Sequence, residues 1–258
     1  MMVSICCRTY NRKNLVVDAL RGFLMQETNF PYEVVILDDC SEDGTPELLR
    51  DYEKKYPGIV KPVFLSENFY TKRGVYPIAP LFSKATGKYI AECDDDDYWT
   101  DPLKLQKQVD YLETHTECVM CYHPFLFYWA ESDRYELPSH EKPRDYTSLE
   151  LVGYSGRGYT IHPSTRLWRN VYNDATAGDF EFCFDDYSMV VMLGMYGGCG
   201  FIESIKPSVY RRFPTGNYWG SLSAAAKKQL HVDMNRRAYD FMVSTGIQKY
   251  IDIRKKYL

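Results

Sequence analysis

Four consecutive aspartates, Asp94 to Asp97, follow directly on the strand-like run Lys88 to Glu92. Like charges this close raise one another's pKa values, so the run is costly unless a cation removes the cost. Oxygen-only ligands point to Mg2+ or Mn2+ rather than zinc, and such cations usually bridge protein carboxylates and a substrate diphosphate. Taken alone, the run could also be a solvated acidic turn. A second acidic pair, Asp185-Asp186, opens a helix-like stretch reaching Tyr196, and by residue type alone it would cap that helix. A third cluster, Asp38-Asp39-Cys40-Ser41-Glu42-Asp43-Gly44, approaches a calcium loop. The fit fails, because the loop's closing bidentate Glu falls on Arg50 and the strand Val34 to Leu37 stands where a helix is required. His115, Cys118, Cys121 and His123 have spacing that zinc could use, but Cys118 to Tyr122 is apolar and suits a buried strand.

The elements that must position these residues alternate over the first hundred positions. Val3 to Cys7, Glu33 to Leu37, Ile59 to Leu65 and Lys88 to Glu92 read as strands, and Asn14 to Met25, Pro46 to Tyr56 and Pro80 to Ala85 as helices. Thr45 is expected as the N-cap of the second helix, with Pro46 at the first helical position. Each strand ends in a polar cluster: Arg8 to Asn11, Asp38-Asp39, Ser66 to Asn68, and Asp94 to Asp97. In an open α/β sheet ligands bind beyond the carboxyl ends of the strands, so the clusters should converge in one crevice. A helix from Asp101-Pro102 to Thr114 leads into a less regular region rich in aromatics, Gly and Pro up to Gly178, read as the acceptor side. A helix from Asp186 to Tyr196, a strand from Gly200 to Ile205 and helical residues from Ser223 to Leu258 complete the chain.

With 258 residues, 45% of them hydrophobic, the chain can bury a substantial core. A net charge of -4 argues against nucleic-acid binding, which usually needs a basic face. The first residues lack the features of a signal peptide, and the apolar stretch Met189 to Ile202 is broken by glycines and shorter than the roughly 20 residues that span a bilayer. The expectation is a cytoplasmic protein whose eight cysteines stay reduced.

Three blocks in order carry a resemblance. They are Val3-Ser4-Ile5 through Thr9-Tyr10-Asn11-Arg12, Val35-Ile36-Leu37-Asp38-Asp39 through Thr45, and Ala85-Thr86-Gly87 through Asp94-Asp95-Asp96-Asp97-Tyr98-Trp99. Together they resemble the inverting glycosyltransferases of family 2, over about the first 110 residues. The resemblance implies an α/β protein of the GT-A fold, a mostly parallel central sheet flanked by helices. It also implies a donor half (1–110), an acceptor half carrying the catalytic base (111–222) and a C-terminal helical segment (223–258), within one structural domain. The implied donor is a nucleotide diphosphate sugar and the implied cofactor Mn2+ or Mg2+.

Carried over by position, the resemblance places Thr9 and Tyr10 along the nucleotide base, with Asp39 accepting from a pyrimidine N–H. A carboxylate only accepts, which suits uracil or thymine and so UDP or dTDP. Arg12 belongs to the same donor-binding set. The family's Asp-x-Asp element falls on Asp94 and Asp96, with Asp96 on the metal and Asp94 or Asp95 on ribose or metal-bound water. Lys72 and Arg73 lie near the diphosphate. Asp185 falls on the acceptor side and Asp186 is the catalytic base, which takes the acceptor hydroxyl's proton during a single displacement. Arg211 or Arg212 meets the diphosphate, and Phe213 stands where the family often has a histidine near the metal. His162 and Trp219 complete the acceptor side, where His162 can equally be a satisfied structural histidine.

The resemblance further suggests polysaccharide or glycolipid assembly on a carbohydrate or lipid-linked acceptor. The basic, amphipathic C-terminal stretch could rest on the inner face of a membrane, but core packing of its apolar face is the favoured reading. Two competing readings remain at this point. A sugar nucleotidyltransferase would want a Gly-rich phosphate loop after the first strand, where Arg8 to Arg12 has no glycine. A non-catalytic nucleotide- or carbohydrate-binding protein on the same scaffold would have been favoured by loss of Asp96 or Asp186, and both are present.

Overall fold

Short apolar runs bounded by polar clusters form the centre of the molecule: β1 (Val3–Thr9), β2 (Tyr32–Asp38), β3 (Val60–Phe64) and β4 (Tyr89–Glu92). The computed structural model describes residues 1–73, 78–138, 142–154, 161–171, 186–213 and 223–257. These four strands are parallel, and β1 and β2 are buried along nearly their whole length because helices cover both faces. The covering helices are α1 (Lys13–Leu24), α2 (Thr45–Lys55), α3 (Phe69–Arg73), α4 (Ile78–Phe82) and α5 (Lys104–Thr114). Two apolar clusters result, one holding Val16, Leu20, Phe23 and Leu105 and the other holding Leu81, Phe82, Met189 and Trp168.

Beyond β4 the sheet continues through β8 (Leu167–Arg169), β5 (Cys118–Tyr122) and β9 (Gly198–Phe201), giving seven strands in the order β3-β2-β1-β4-β8-β5-β9 among the described residues. β8 runs antiparallel to both β4 and β5. A smaller sheet joins β10 (Ser208–Arg212), β6 (Phe125–Trp129) and β7 (Arg134–Glu136). The region read from sequence as irregular therefore contains three short strands among its described residues. Two have only three residues, and every residue of β7 is exposed, so neither carries an apolar alternation to signal it.

Two glycines fix local geometry. A Cβ on Gly87 would lie 2.5 Å from the Ser4 nitrogen, so only glycine lets the chain enter β4 beside β1. Gly44 has φ +86 and is itself the N-cap of α2; Thr45 is the first helical residue rather than the cap, and the Asp43 carboxylate accepts from its N–H at 3.0 Å. The expected strands and helices otherwise lie within a few residues of their observed bounds, whereas α3, the short helix Ser148–Val152 and β10 have no expected counterpart.

The remaining helices are α6 (Ser148–Val152), α7 (Asp186–Leu193), α8 (Ala224–Thr245) and α9 (Gln248–Lys255). Gly246, at φ +68, divides the C-terminal helical segment into its two parts. Their apolar faces pack on the core through Ala238, Met242 and Tyr250. The buried Arg254 donates to the carbonyls of Val152 and Tyr154, to Asn235 Oδ1 and to the Tyr187 hydroxyl. Among the described residues no helix is long and apolar enough to cross a membrane. Cys118 and Cys121 lie on β5 as free thiols, and no group of three or more His, Cys, Asp or Glu side chains converges as a metal cage among the described residues.

Candidate active site

Because β1, β2 and β4 are parallel neighbours, their carboxyl ends open on one edge of the sheet. The Asp39 N–H donates to the Thr9 carbonyl at 3.0 Å and the Cys93 N–H to the Cys6 carbonyl at 3.2 Å, so the three polar clusters stay side by side after the strands end. Thr9 is buried and its hydroxyl has no hydrogen-bond partner, while Tyr10 is 46% exposed at the rim. Asn11 ties this loop to the next, accepting from the Glu42 N–H at 2.7 Å and donating its own N–H to Ser41 Oγ at 2.8 Å. The Asp39 carboxylate is buried and accepts from the Phe69 and Tyr70 N–H groups at 2.6 and 3.1 Å, which anchors α3 above β2. Lys72 projects from α3 and pairs with Glu67 on the surface, both side chains more than half exposed. Arg73 ends the same helix, and its side chain lies outside the described residues, as do Asp185 and Trp219.

The aspartate run is held by two arginines from the β1 edge. Arg8 donates to Asp94 Oδ1 at 2.9 Å; Arg12 pairs with Asp96 and lies 3.6 Å from Asp95 Oδ1. Burial opposes ionisation of Asp94, but the Arg8 guanidinium outweighs it and holds that carboxyl below its usual value. Asp95 is pushed up to about 7 by burial and by the charge of Asp96, against the pull of Arg12. Asp96 and Asp97 are raised too, again first by burial. One carboxylate oxygen each on Asp95 and Asp97 is buried without a hydrogen-bond partner. Unsatisfied oxygens among raised carboxyls fit a hard dication, which would share Asp94 and Asp96 with the guanidinium groups of Arg8 and Arg12 that pair with them here. Magnesium in particular uses one or two carboxylates plus substrate phosphates rather than a full protein cage.

Asp97 faces away from Arg12. Its Oδ1 accepts from the Arg211 N–H at 3.0 Å, and its Oδ2 lies 3.7 Å from His162 Nε2. His162 is buried, hydrogen-bonded through Nδ1 to Ser164 Oγ at 2.8 Å, with its ring centroid 4.3 Å from that of Tyr210 and tilted 31° to it. Burial lowers its pKa to about 3, so the ring is neutral. The Arg211 side chain reaches Asp18 on α1 and lies 4.7 Å over the Tyr98 ring, whereas Arg212 lies over Tyr210 and Phe127.

Asp186, the first residue of α7, forms the opposite wall. Its side chain is 53% exposed, and partial desolvation raises its pKa. Arg166 lowers it, Asp94 raises it, Arg8 lowers it and Glu92 raises it, and the net value is about 7. Between the walls lies a narrow cleft bounded by Arg8, Asp94, Arg166 and Asp186 on its polar sides and by Ile78, Leu81, Phe82 and Met189 on its apolar side. Such a cleft presents an arginine-paired acid and a raised carboxyl to one small volume. The structure thus brings together Thr9, Arg12, Asp94, Asp95, Asp96 and Asp186 at one sheet edge, with Asp39 and Tyr10 beside them. Lys72 lies on α3 and Arg211 on the small sheet.

Glu92 and Arg8 reach the cleft without a site role having been read for either from sequence, and Arg166 was placed only within a longer acceptor-side stretch. Arg166 is 1% exposed and forms a two-pronged pair with Glu92. A signal for Glu92 exists: an acid within the otherwise apolar Tyr89-Ile90-Ala91 strand needs a buried partner.

Comparison with known proteins agrees with this architecture. The chain is 44% identical over 123 residues to an uncharacterised protein of Mycobacterium tuberculosis, a stretch covering 47% of this chain and 34% of that one. It is 32% identical over 111 residues, 43% of this chain and 42% of the relative, to the putative teichuronic acid biosynthesis glycosyltransferase TuaG of Bacillus subtilis. These matches thus span less than half the length of either relative. Among solved structures, S. aureus TarS in complex with UDP-GlcNAc superposes with a TM-score of 0.67 at 18% identity, covering 94% of this chain and 67% of that one, which shows the shared GT-A fold. The family model described as glycosyl transferase family 2 matches residues 4–175, taking in β1, the aspartate run and Arg166, so the chain belongs to the family 2 glycosyltransferases.

Proposed function

We propose that the chain transfers a sugar from a nucleotide diphosphate, UDP or dTDP, to an acceptor hydroxyl with inversion in a single displacement. The observation that carries this reading is the cleft itself, where Asp186, raised to about 7, faces Asp94 across a small volume at the carboxyl edge of the sheet. A carboxyl titrating near neutrality suits a base that must accept a proton and then release it. Thr9, Tyr10 and Asp39 lie along the base and ribose. Arg12, Lys72 and Arg73 serve the diphosphate, and Arg211 is the second-half candidate for the same role. Asp94 and Asp96 would hold Mg2+ or Mn2+ together with the donor's phosphates, and that charge would stabilise the departing diphosphate.

On this reading the apolar wall of Leu81, Phe82 and Met189 limits water at the reacting carbon. Asp186 orients the acceptor hydroxyl and takes its proton, and Asp185, His162 and Trp219 line the acceptor side. The likeness to a teichuronic acid biosynthesis glycosyltransferase supports a role in polysaccharide or glycolipid assembly, while the choice of uridine or thymidine rests on Asp39 as an acceptor for a pyrimidine N–H. Contact of α8 and α9 with a membrane carrying a lipid-linked acceptor, and so a place at the inner face of the cytoplasmic membrane, belong to the same proposal. Family membership sets aside the nucleotidyltransferase alternative.

The test is a thermal-shift panel of UDP, dTDP, GDP and CDP, with and without Mn2+, on the wild type and Asp96→Ala. One uridine or thymidine diphosphate should stabilise only with metal, and the effect should vanish in the variant. A saturating ligand at a hundredfold its Kd contributes about 2.7 kcal/mol. Equal stabilisation of both proteins, or none by any nucleotide, would overturn the donor-site assignment.

A further inference from the structure

We infer that the buried Arg166–Glu92 pair is the positioning device for Asp186, tying the carboxylate of the proposed base to the central sheet and aiming it into the cleft. The inference rests on the reading of Asp186 as that base.

The geometry is a cross-strand extension. β4 and β8 are antiparallel with Ala91 opposite Leu167, so Glu92 and Arg166 are the next pair in register, just where both strands reach the cleft. Arg166 Nε and Nη2 donate to the two Glu92 carboxylate oxygens at 2.8 and 2.7 Å. Trp168 Nε1 adds a third donor to Glu92 at 2.7 Å, and Trp168 is wedged edge-on against Phe82. The guanidinium is thereby fixed, with Nη1 donating to the Asp186 carbonyl at 3.2 Å and Nη2 lying 3.7 Å from Asp186 Oδ1. One planar fork spans both acids, which a lysine ammonium cannot do.

Stability alone does not account for the pair. Desolvating two charges costs several kcal/mol, and a well-packed apolar pair of similar volume is often as stable or more so. Leu81, Phe82 and Met189 stand ready to pack against such a pair. Retaining both charges at the mouth of the cleft makes sense when one of them is used, and Asp186 is what Arg166 meets there. Among the described residues the charged groups facing Asp186 are Arg8 from β1, Glu92 at the end of β4, Asp94 just after it and Arg166 before β8. Arg166 favours the ionised carboxylate and Glu92 opposes it, so removing either charge has a signed effect.

The experiment follows the Asp186 carboxyl directly, by NMR titration of protein labelled with 13Cγ-aspartate, using Asp186→Asn to assign the resonance. Glu92→Gln should move the titration to lower pH and Arg166→Gln to higher pH. Arg166→Lys should leave it near the wild-type position yet slow turnover about a hundredfold, the penalty of a misplacement on the order of 1 Å. Turnover is read as diphosphate released from the nucleotide sugar of the donor class found in the thermal-shift panel, with water as acceptor. Titrations that stay put, or move the same way in both single variants, overturn the inference, as does wild-type turnover by Arg166→Lys. Should Arg166→Gln not fold, Glu92→Gln and Arg166→Lys still decide. Full activity of Asp186→Asn would instead remove the base assignment, while the titrations would still report whether the pair governs that carboxyl.

Discussion

The two walls of the cleft, which the proposed function assigns to donor and acceptor, neutralise their acids in opposite ways. On the donor wall Arg12 lies across Asp95 and Asp96 with 31% of its own side chain exposed, so its countercharge can be exchanged for another cation. On the acceptor wall Arg166 is 1% exposed and locked to Glu92, so the countercharge beside Asp186 is permanent. A site that must admit and release a charged donor needs the first arrangement, and one that must keep a base aimed through every turnover needs the second. Low solvation strengthens both, since charges interact more strongly away from water.

The sharpest way to break this contrast is to remove the proposed base. Asp186→Asn should lower turnover by about 10²–10⁴-fold, the usual contribution of a general base, while leaving the thermal shift with nucleotide and Mn2+ unchanged. In the wild type the carboxyl titrates at about 7 and the base must be ionised, so the rate should fall as pH drops through that value. A flat profile between pH 5 and 8 would place the proton acceptor elsewhere.

The donor wall is tested by freeing its acids. If Arg12 is an exchangeable countercharge, Arg12→Gln should bind Mn2+ about tenfold more tightly in the absence of nucleotide, a gain of about 1.4 kcal/mol. Isothermal titration with Mn2+ alone measures it. An unchanged or weaker affinity would mean that the guanidinium does not compete with the cation.

The walls also differ in how much of them the sequence discloses. β1, β2 and β4 announce themselves as apolar runs ending in polar clusters, and parallel pairing then forces Thr9, Asp39 and Asp94 together. Asp186 is legible only through its family resemblance, because an acid at the first position of a helix is ordinary capping chemistry. Arg166 and Glu92 are separated by 74 residues and meet through β8, a three-residue strand with no periodicity to reveal its antiparallel pairing. Local pattern fixes the elements, whereas a contact made across a short, reversed strand depends on the whole sheet. Arg211 shows the same limit, since nothing in Tyr210-Arg211-Arg212 says which guanidinium turns to Asp18.

A smaller effect on the donor wall is thermodynamic. Asp95 titrates at about 7 in the folded chain, against about 3.9 unfolded. Between those values the folded state holds a proton that the unfolded state has lost, so stability falls as pH rises through that window and the full penalty stands above pH 7. Asp95→Asn removes the penalty. Its melting temperature at pH 8 should exceed that of the wild type by about 5 °C in metal-free buffer, with the gap closing toward pH 4. A constant gap would trace the gain to packing rather than to the proton.

The smallest expected effect separates the donor wall from its surroundings. Lys72 and Glu67 form an exposed pair, of a kind worth about 0–1 kcal/mol and screened by salt. Lys72→Ala should therefore barely change the melting temperature. The helix that carries Lys72 is pinned by Asp39, so its ammonium is held near the donor loop even though its own partner is a surface acid. A loss of about 0.5–1 kcal/mol of diphosphate attraction corresponds to a KM for the donor raised about two- to fivefold, with kcat unchanged. If KM also stays constant, the donor's charge is met within the aspartate run and its arginines, and α3 contributes only the backbone donors that Asp39 holds.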